Sequence, residues 1–279
     1  EAAARVHFGT PHALAVNSAT SALYAAMGAA GISPGDEVIT TPYTMSASAT
    51  AAVVWGGVPV FADIEPETFC LDPESVRACI TPRTRAIVAV DIFGQPADFD
   101  AIMAIAAEHG LIVIEDAAQA PDATLRGRKC GTLGHIGCFS LNYHKHVHTG
   151  EGGICVTGDE RLARRIALIR NHAEAVVEDM GEAAEDDGLV NMVGFNYRMT
   201  EIEAAIGTEQ LIKLPGLVAG RIEKADSLTR RIAGLPGITP PVVRPGARHV
   251  YYCYPMRYDA AANQGAHRST VAKALAAEG

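Results

Sequence analysis

Leu111-Ile112-Val113-Ile114-Glu115-Asp116-Ala117-Ala118-Gln119 is the stretch on which the fold turns. An unbroken apolar run rich in β-branched residues reads as a strand buried on both faces, and such strands belong to parallel sheets covered by helices. The run ends in two acids, so Asp116 arrives at the strand's C-terminal edge, where open α/β sheets bind their ligands. A carboxylate there can hold a cationic ring nitrogen or a metal, or it can cap the next helix.

Outward from this strand the period alternates. Short β-branched runs at Glu37 to Thr41, Val58 to Asp63, Ala86 to Val90 and Gly153 to Thr157 read as strands. Between and around them, Glu1 to Phe8, Ser21 to Ala30, Met45 to Trp55, Pro73 to Cys79, Asp98 to His109 and Glu160 to Arg170 read as helices. Strand and helix in alternation predict an α/β fold with a mostly parallel sheet sandwiched by helices.

After Arg170 the texture changes. Glu174 to Gly188 carries seven acids and no basic residue, and reads as a solvated surface loop. A helix over Thr200 to Leu214 opens on the capping box Thr200-Glu201-Ile202-Glu203, and a second, Leu217 to Ala233, stops at Gly234-Leu235-Pro236-Gly237. His249 to Arg257 (HVYYCYPMR) is strand-like. The expected division is a large domain over 1–214, a connecting helix over 215–236 and the start of a smaller C-terminal α+β domain over 237–279. Both ends fall in helical sequence, so the chain is expected to be cut at each.

The 279 residues carry 23 basic and 32 acidic side chains, a net charge of −9, with 48% hydrophobic residues, enough for a sizeable core. Without a Lys/Arg stripe, neither nucleic acid nor an anionic membrane surface is an expected partner. No apolar run is long enough to span a bilayer. Cys70, Cys79, Cys130, Cys138, Cys155 and Cys253 are scattered, which suits reduced thiols in a cytoplasmic protein.

Three further stretches could carry chemistry. Asn17-Ser18-Ala19-Thr20-Ser21 precedes a helix, where unbonded N–H groups and hydroxyls make either an anion site or an ordinary N-cap. In Ser140-Leu141-Asn142-Tyr143-His144-Lys145-His146-Val147-His148-Thr149-Gly150, a lysine lies between imidazoles before a Gly-rich turn. Burial or cationic neighbours lower a lysine's pKa and make it a nucleophile toward carbonyls. In an extended segment His144, His146 and His148 would share a face suited to zinc, but no further ligand stands at metal spacing, so no metal is expected. Gly194 to Thr200, around Asn196, reads locally as a packed loop.

Together these stretches resemble the sugar aminotransferases of the DegT/DnrJ/EryC1/StrS family, pyridoxal 5'-phosphate (PLP) enzymes of the aspartate-aminotransferase fold (fold type I). The resemblance runs from about Val16 to Leu214 and includes Gly35-Asp36-Glu37-Val38-Ile39, Pro59-Val60-Phe61-Ala62-Asp63, Gly94-Gln95-Pro96-Ala97 and Arg170-Asn171-His172. It implies that Lys145 is the lysine that carries the cofactor and that Asp116 pairs with the pyridinium nitrogen. It places Gln119 beside the ring and its 3-hydroxyl, and Thr20, Ser21 and Ser140 at the phosphate. Asn196 would reach the phosphate of a neighbouring subunit's cofactor, which implies a homodimer with shared active sites. The implied reaction moves an amino group from glutamate or glutamine to a keto-sugar, nucleotide-linked, in amino-sugar biosynthesis.

The sequence departs from the family pattern at three places. Met45 stands where an aromatic usually stacks on the ring, the surroundings of Lys145 are His-rich, and Tyr252 replaces a common His. The competing readings are a sugar dehydratase of the same family, which has a histidine at the lysine position, and a non-catalytic dimeric regulatory domain.

Overall fold

The computed structural model describes residues 1–173 and 192–278. The acidic stretch Glu174 to Gly188, expected to be a solvated loop, lies outside the described residues.

The chain opens with α1 (Ala2–Phe8), β1 (His12–Val16), α2 (Ala19–Ala29), β2 (Glu37–Thr40), α3 (Ala47–Val54) and β3 (Val58–Phe61). Next come α4 (Pro73–Cys79), β4 (Thr84–Val90), α5 (Phe99–His109) and β5 (Ile112–Asp116). A small hairpin, β6 (Thr124–Leu125) and β7 (Arg128–Lys129), leads to β8 (Ile136–Ser140), β9 (Gly153–Thr157) and α6 (Glu160–Arg170). The remainder holds α7 (Glu201–Ile232), the two-residue strands β10 (Ile238–Thr239), β11 (Ala247–Arg248) and β12 (Arg257–Tyr258), and α8 (Arg268–Glu278).

Seven strands form the central sheet in the order β1-β9-β8-β5-β4-β2-β3. The pairs β3/β2, β2/β4, β4/β5 and β5/β8 are parallel, whereas β9 runs antiparallel to both β8 and β1. Every residue of β2, β8 and β9 is buried, as expected of a sheet covered on both faces. The α/β expectation therefore holds, with β9 as the exception to the parallel rule. Cross-strand register brings Val90, Asp116 and Cys138 level, so the C-terminal ends of β4, β5 and β8 open onto one edge of the sheet.

Several local readings change. Thr200 to Leu214 and Leu217 to Ala233 are not two helices but one, α7, with Pro215 inside it. An interior proline removes one backbone hydrogen bond, but the buried stripe Gly207, Leu211, Leu214, Val218 and Ala225 runs straight across it, so packing carries the helix through. The connecting helix expected over 215–236 thus begins inside the preceding one. HVYYCYPMR is not a strand except for Arg257, because Tyr251 takes a positive φ of 50° that no strand accommodates. Two core strands, β1 and β8, lie where no strand was read. Among the described residues no helix is long and apolar enough to cross a membrane.

Candidate active site

The C-terminal ends of β5 and β8 and the start of α2 enclose a cleft of about 370 Å³. Of the residues singled out in the sequence, Thr20, Met45, Asp116, Gln119, Ser140, Lys145 and Tyr252 line it. Two do not. Ser21 is buried in the α2 cap, where its hydroxyl donates to Asn17 Oδ1 (2.5 Å) and its N–H to Ser18 Oγ (3.0 Å). Asn196 forms an isolated bridge with Asn171, away from the lining.

Asp116 ends β5 with its carboxylate almost wholly buried. Oδ2 accepts the Ser48 hydroxyl (2.7 Å) and Oδ1 the Ala118 N–H (3.2 Å). Ser48 has one proton and gives it to the carboxylate, so the Thr44 hydroxyl donates to Ser48 Oγ (2.9 Å). Burial raises the Asp116 pKa, opposed by the Ser48 and Ala118 hydrogen bonds and the Lys145 charge. The site thus holds a desolvated acid, oriented by neutral donors, that a cation would stabilise.

Lys145 sits in a turn closed by its own N–H to Asn142 O (2.9 Å). Asn142 also accepts the His144 N–H on Oδ1 (3.1 Å) and donates to Glu151 Oε1 (2.7 Å), so one side chain shapes the loop before and after the lysine. The Lys145 amine lies 4.5 Å from the centroid of the Tyr252 ring. Burial lowers its pKa, against the raising effects of Asp116 and Cys253. The shifts of Lys145 and Asp116 agree in cause: burial penalises each charge and each partner partly restores the other's.

Gln119 Oε1 accepts the Phe93 N–H (2.7 Å), which fixes the amide so that its NH₂ is the remaining donor. At the start of α2 the Ser18 side chain caps Ser21, while the first-turn N–H groups of Ala19 and Thr20 have no helical acceptor. Gly153 lets β9 approach this helix start, since a Cβ there would lie 2.4 Å from the Ser18 carbonyl oxygen.

His144, His146 and His148 do not form the zinc face an extended segment would give. The loop turns there, and the one metal-competent cluster among the described residues is Asp91, Glu115 and Cys130. His146 is buried with Nε2 3.0 Å from the Val250 carbonyl, and burial pushes its pKa down to about 4. Sequence reasoning missed Ser48, Thr44, Asn142 and Glu151. Thr44 lies in the bend before α3 and Ser48 in its first turn, and nothing local points either hydroxyl at an acid 68 residues from Ser48.

The model of the DegT/DnrJ/EryC1/StrS aminotransferase family matches residues 1–279. GDP-perosamine synthase of Caulobacter vibrioides is 42% identical over 250 residues, covering 89% of this chain and 65% of its own length. Spore coat polysaccharide biosynthesis protein SpsC of Bacillus subtilis is 40% identical over 259 residues, covering 90% and 65%. The chain thus spans slightly less than two thirds of either relative. Among solved structures, S. venezuelae DesV matches with a TM-score of 0.89 at 36% identity, over 100% of this chain and 71% of that one.

Proposed function

The chain belongs to the DegT/DnrJ/EryC1/StrS aminotransferase family, and from that premise we propose that it is a PLP-dependent sugar aminotransferase, moving an amino group from glutamate or glutamine to a nucleotide-linked keto-sugar. The observation that carries this reading is the pairing, in one cleft, of a buried carboxylate at a strand end with an amine that has no hydrogen bond or ion pair among the described residues. The relative named GDP-perosamine synthase supports a nucleotide-linked sugar.

The cleft fits the cofactor on its own chemistry. Asp116 is a desolvated acid suited to a cationic ring nitrogen, and its two hydrogen bonds aim it. The Gln119 NH₂ is placed to donate to a phenolic oxygen, with Met45 and Ala118 on the same lining. Thr20, Ser140 and the first-turn N–H groups of α2 would hold the phosphate, a helix N-terminus being favourable for an anion. Ser21 supports that turn from inside the cap.

When bound, PLP supplies an electron sink for the charge left at the donor's Cα as its proton departs. Burial lowers the pKa of Lys145 Nζ and so makes its free base more accessible, and that amine accepts the proton and later returns one. Ser48 and Ala118 fix the rotation of the Asp116 carboxylate, which would hold a cationic ring nitrogen. Burial of the acid excludes water that would otherwise weaken its hold.

A homodimer with shared sites accords with Asn196 lying outside its own chain's cleft and with exposed Ile202, Ile206 and Ile212 on α7. The dehydratase reading calls for a histidine where Lys145 stands, and His146 next to it turns to the Val250 carbonyl.

The test is borohydride reduction of the PLP-reconstituted chain, which should fix the cofactor's mass on Lys145, with glutamate alone releasing one 2-oxoglutarate per site. Lys145→Ala should do neither. Absence of trapping in the wild type, or full transamination by Lys145→Ala, would overturn the proposal.

A further inference from the structure

The segment from His249 to Cys253 is tied on both sides of Tyr252. Val250 N–H donates to Gly94 O (2.8 Å) and Cys253 N–H to Phe93 O (3.3 Å). Between them Tyr251 takes the left-handed region at φ 50°, uncommon for a bulky residue and maintained only where surroundings over-determine it. They do so here. Tyr251 N–H donates to His249 Nδ1 (2.9 Å), the two rings stack at 4.1 Å and 6°, and Arg221 Nη1 on α7 donates to the Tyr251 carbonyl (3.3 Å).

His146 supplies the remaining tie. A carbonyl can only accept, so its Nε2 carries the hydrogen toward Val250 O (3.0 Å), and the buried Nδ1 has no hydrogen-bond partner among the described residues. The residue is 6% exposed and its ring centroid lies 6.0 Å from that of Tyr252. His146 thus joins the loop carrying the lysine to the arm carrying the ring against which that lysine rests.

We propose that Tyr252 is the resting platform of the Lys145 amine, and that His146 is the positioning residue that keeps the strained arm, and so the ring, beside it. The inference rests on the reading of Lys145 as the reactive amine. A platform of this kind answers a physical problem. Asp116, Glu151 and His144 line the same cleft, and Cys253 follows the ring. A lysine on a flexible stem, once displaced, can fold onto either carboxylate and be locked there as a charged pair. An aromatic face attracts the ammonium without offering a proton acceptor, weakly enough for the amine to leave.

The test follows acylation of the cofactor-free full chain by acetic anhydride, read at each lysine by peptide mass spectrometry across pH. The high-pH plateau reports access to Lys145, and the rate below its midpoint, divided by that plateau, reports the free-base fraction. Loss of a cation–π contact of ~1 kcal/mol should raise that fraction about fivefold. Tyr252→Leu should show this gain and Tyr252→Phe, which keeps the face, should not. His146→Leu should shift Lys145 in the same direction, His146→Gln should restore it, and the double variant with Tyr252→Leu should go no further than Tyr252→Leu alone. An unchanged Lys145 profile in Tyr252→Leu, or an equal shift in Tyr252→Phe, overturns the platform. Additive effects in the double variant overturn the role of His146. Lys129, Lys213, Lys224 and Lys273 are internal controls. Since no cofactor takes part, a wild type that fails with glutamate while Lys145 shifts as stated defeats the aminotransferase reading and leaves the platform standing.

Discussion

Asp91→Asn should stabilise the protein, and increasingly so as pH rises. Asp91 follows β4, Glu115 lies within β5, and both are fully buried, with one carboxylate oxygen of each and Cys130 Sγ within 4.8 Å of one another. Glu115 accepts three backbone N–H groups, from Gly131, Leu133 (3.0 Å) and Gly134 (3.2 Å). Asp91 accepts one, from Ala97 to Oδ1 (3.1 Å), and otherwise faces the Glu115 carboxyl and the Cys130 thiol. Burial raises both pKa values, and the Glu115 charge pushes Asp91 well above the usual carboxylate range, so the proton belongs on Asp91. The unfolded chain gives that proton up above about pH 4. Between the unfolded and native pKa values the native state binds more protons, so this group's stabilising contribution, complete below the unfolded pKa, is lost as pH rises toward the native one. One proton is worth ~1.4 kcal/mol per pH unit. Asparagine keeps the shape, accepts from Ala97 and donates to Glu115 without a proton to lose. Urea unfolding of both proteins from about pH 5 to 7 should show the variant's advantage widening by up to that slope. A stability difference independent of pH, or one that narrows as pH rises, would refute the assignment of the proton to Asp91.

Ser48→Ala removes a hydrogen bond to the buried Asp116 carboxylate. Bonds to charged groups are worth ~1.5–3 kcal/mol, so PLP affinity should fall by about tenfold or more in a spectroscopic titration; unchanged affinity would show that Ser48 does not orient the acid. Gly153→Ala puts a Cβ 2.4 Å from Ser18 O and 2.8 Å from Ala19 N, which should displace the start of α2 and weaken binding of inorganic phosphate or PLP; calorimetry would measure this, and wild-type affinity would argue against a phosphate site there. Asp122→Asn tests the opposite pH sign. Burial works against the Asp122 charge, but His7 and Lys129 outweigh it and hold its pKa at about 2. Its contribution, ~2–3 kcal/mol, is present above the unfolded pKa and lost as pH falls through about 2. The variant should be less stable at neutral pH and less acid-sensitive, and equal acid sensitivity in thermal melts would refute this.

The sequence showed most clearly what depends on neighbours in the chain. Leu111 to Ile114 announces a buried strand by composition alone, Asp116 and Thr20 stand at a strand end and a helix start, where period switching locates them, and Lys145 stands in the polar loop before the Gly-rich turn into β9. His12–Val16 and Ile136–Ser140 became strands without that signal: HALAV and IGCFS are rich in small residues, and their pairing with β9 supplies what propensity does not. Pro215 and HVYYCYPMR misled for the converse reason, a local preference overruled by packing along α7 and by the ties on Tyr251. Ser48 and the Lys145–Tyr252 contact were illegible because each joins residues that only the folded chain brings together.

The two acids that end the deciding stretch show how one strand serves two ends. Successive side chains on a strand point to opposite faces, so Glu115 and Asp116 cannot share surroundings. Glu115 takes the N–H groups of the 131–134 turn, which lies directly on β8: a Cβ at Gly137 would meet the Gly131 carbonyl oxygen at 2.1 Å. That contact sets where β8 lies and therefore where Ser140 and the Lys145 loop emerge. Asp116, one residue on, takes only side-chain and local donors and remains able to accept a cation. The acid that fixes the architecture is spent on backbone amides, and the acid left for a ligand is the one whose partners are few and neutral. The number of backbone amides, three on Glu115 against one on Asp116, thus separates the carboxylate that fixes the architecture from the one proposed for a ligand, where burial and charge would have treated them alike.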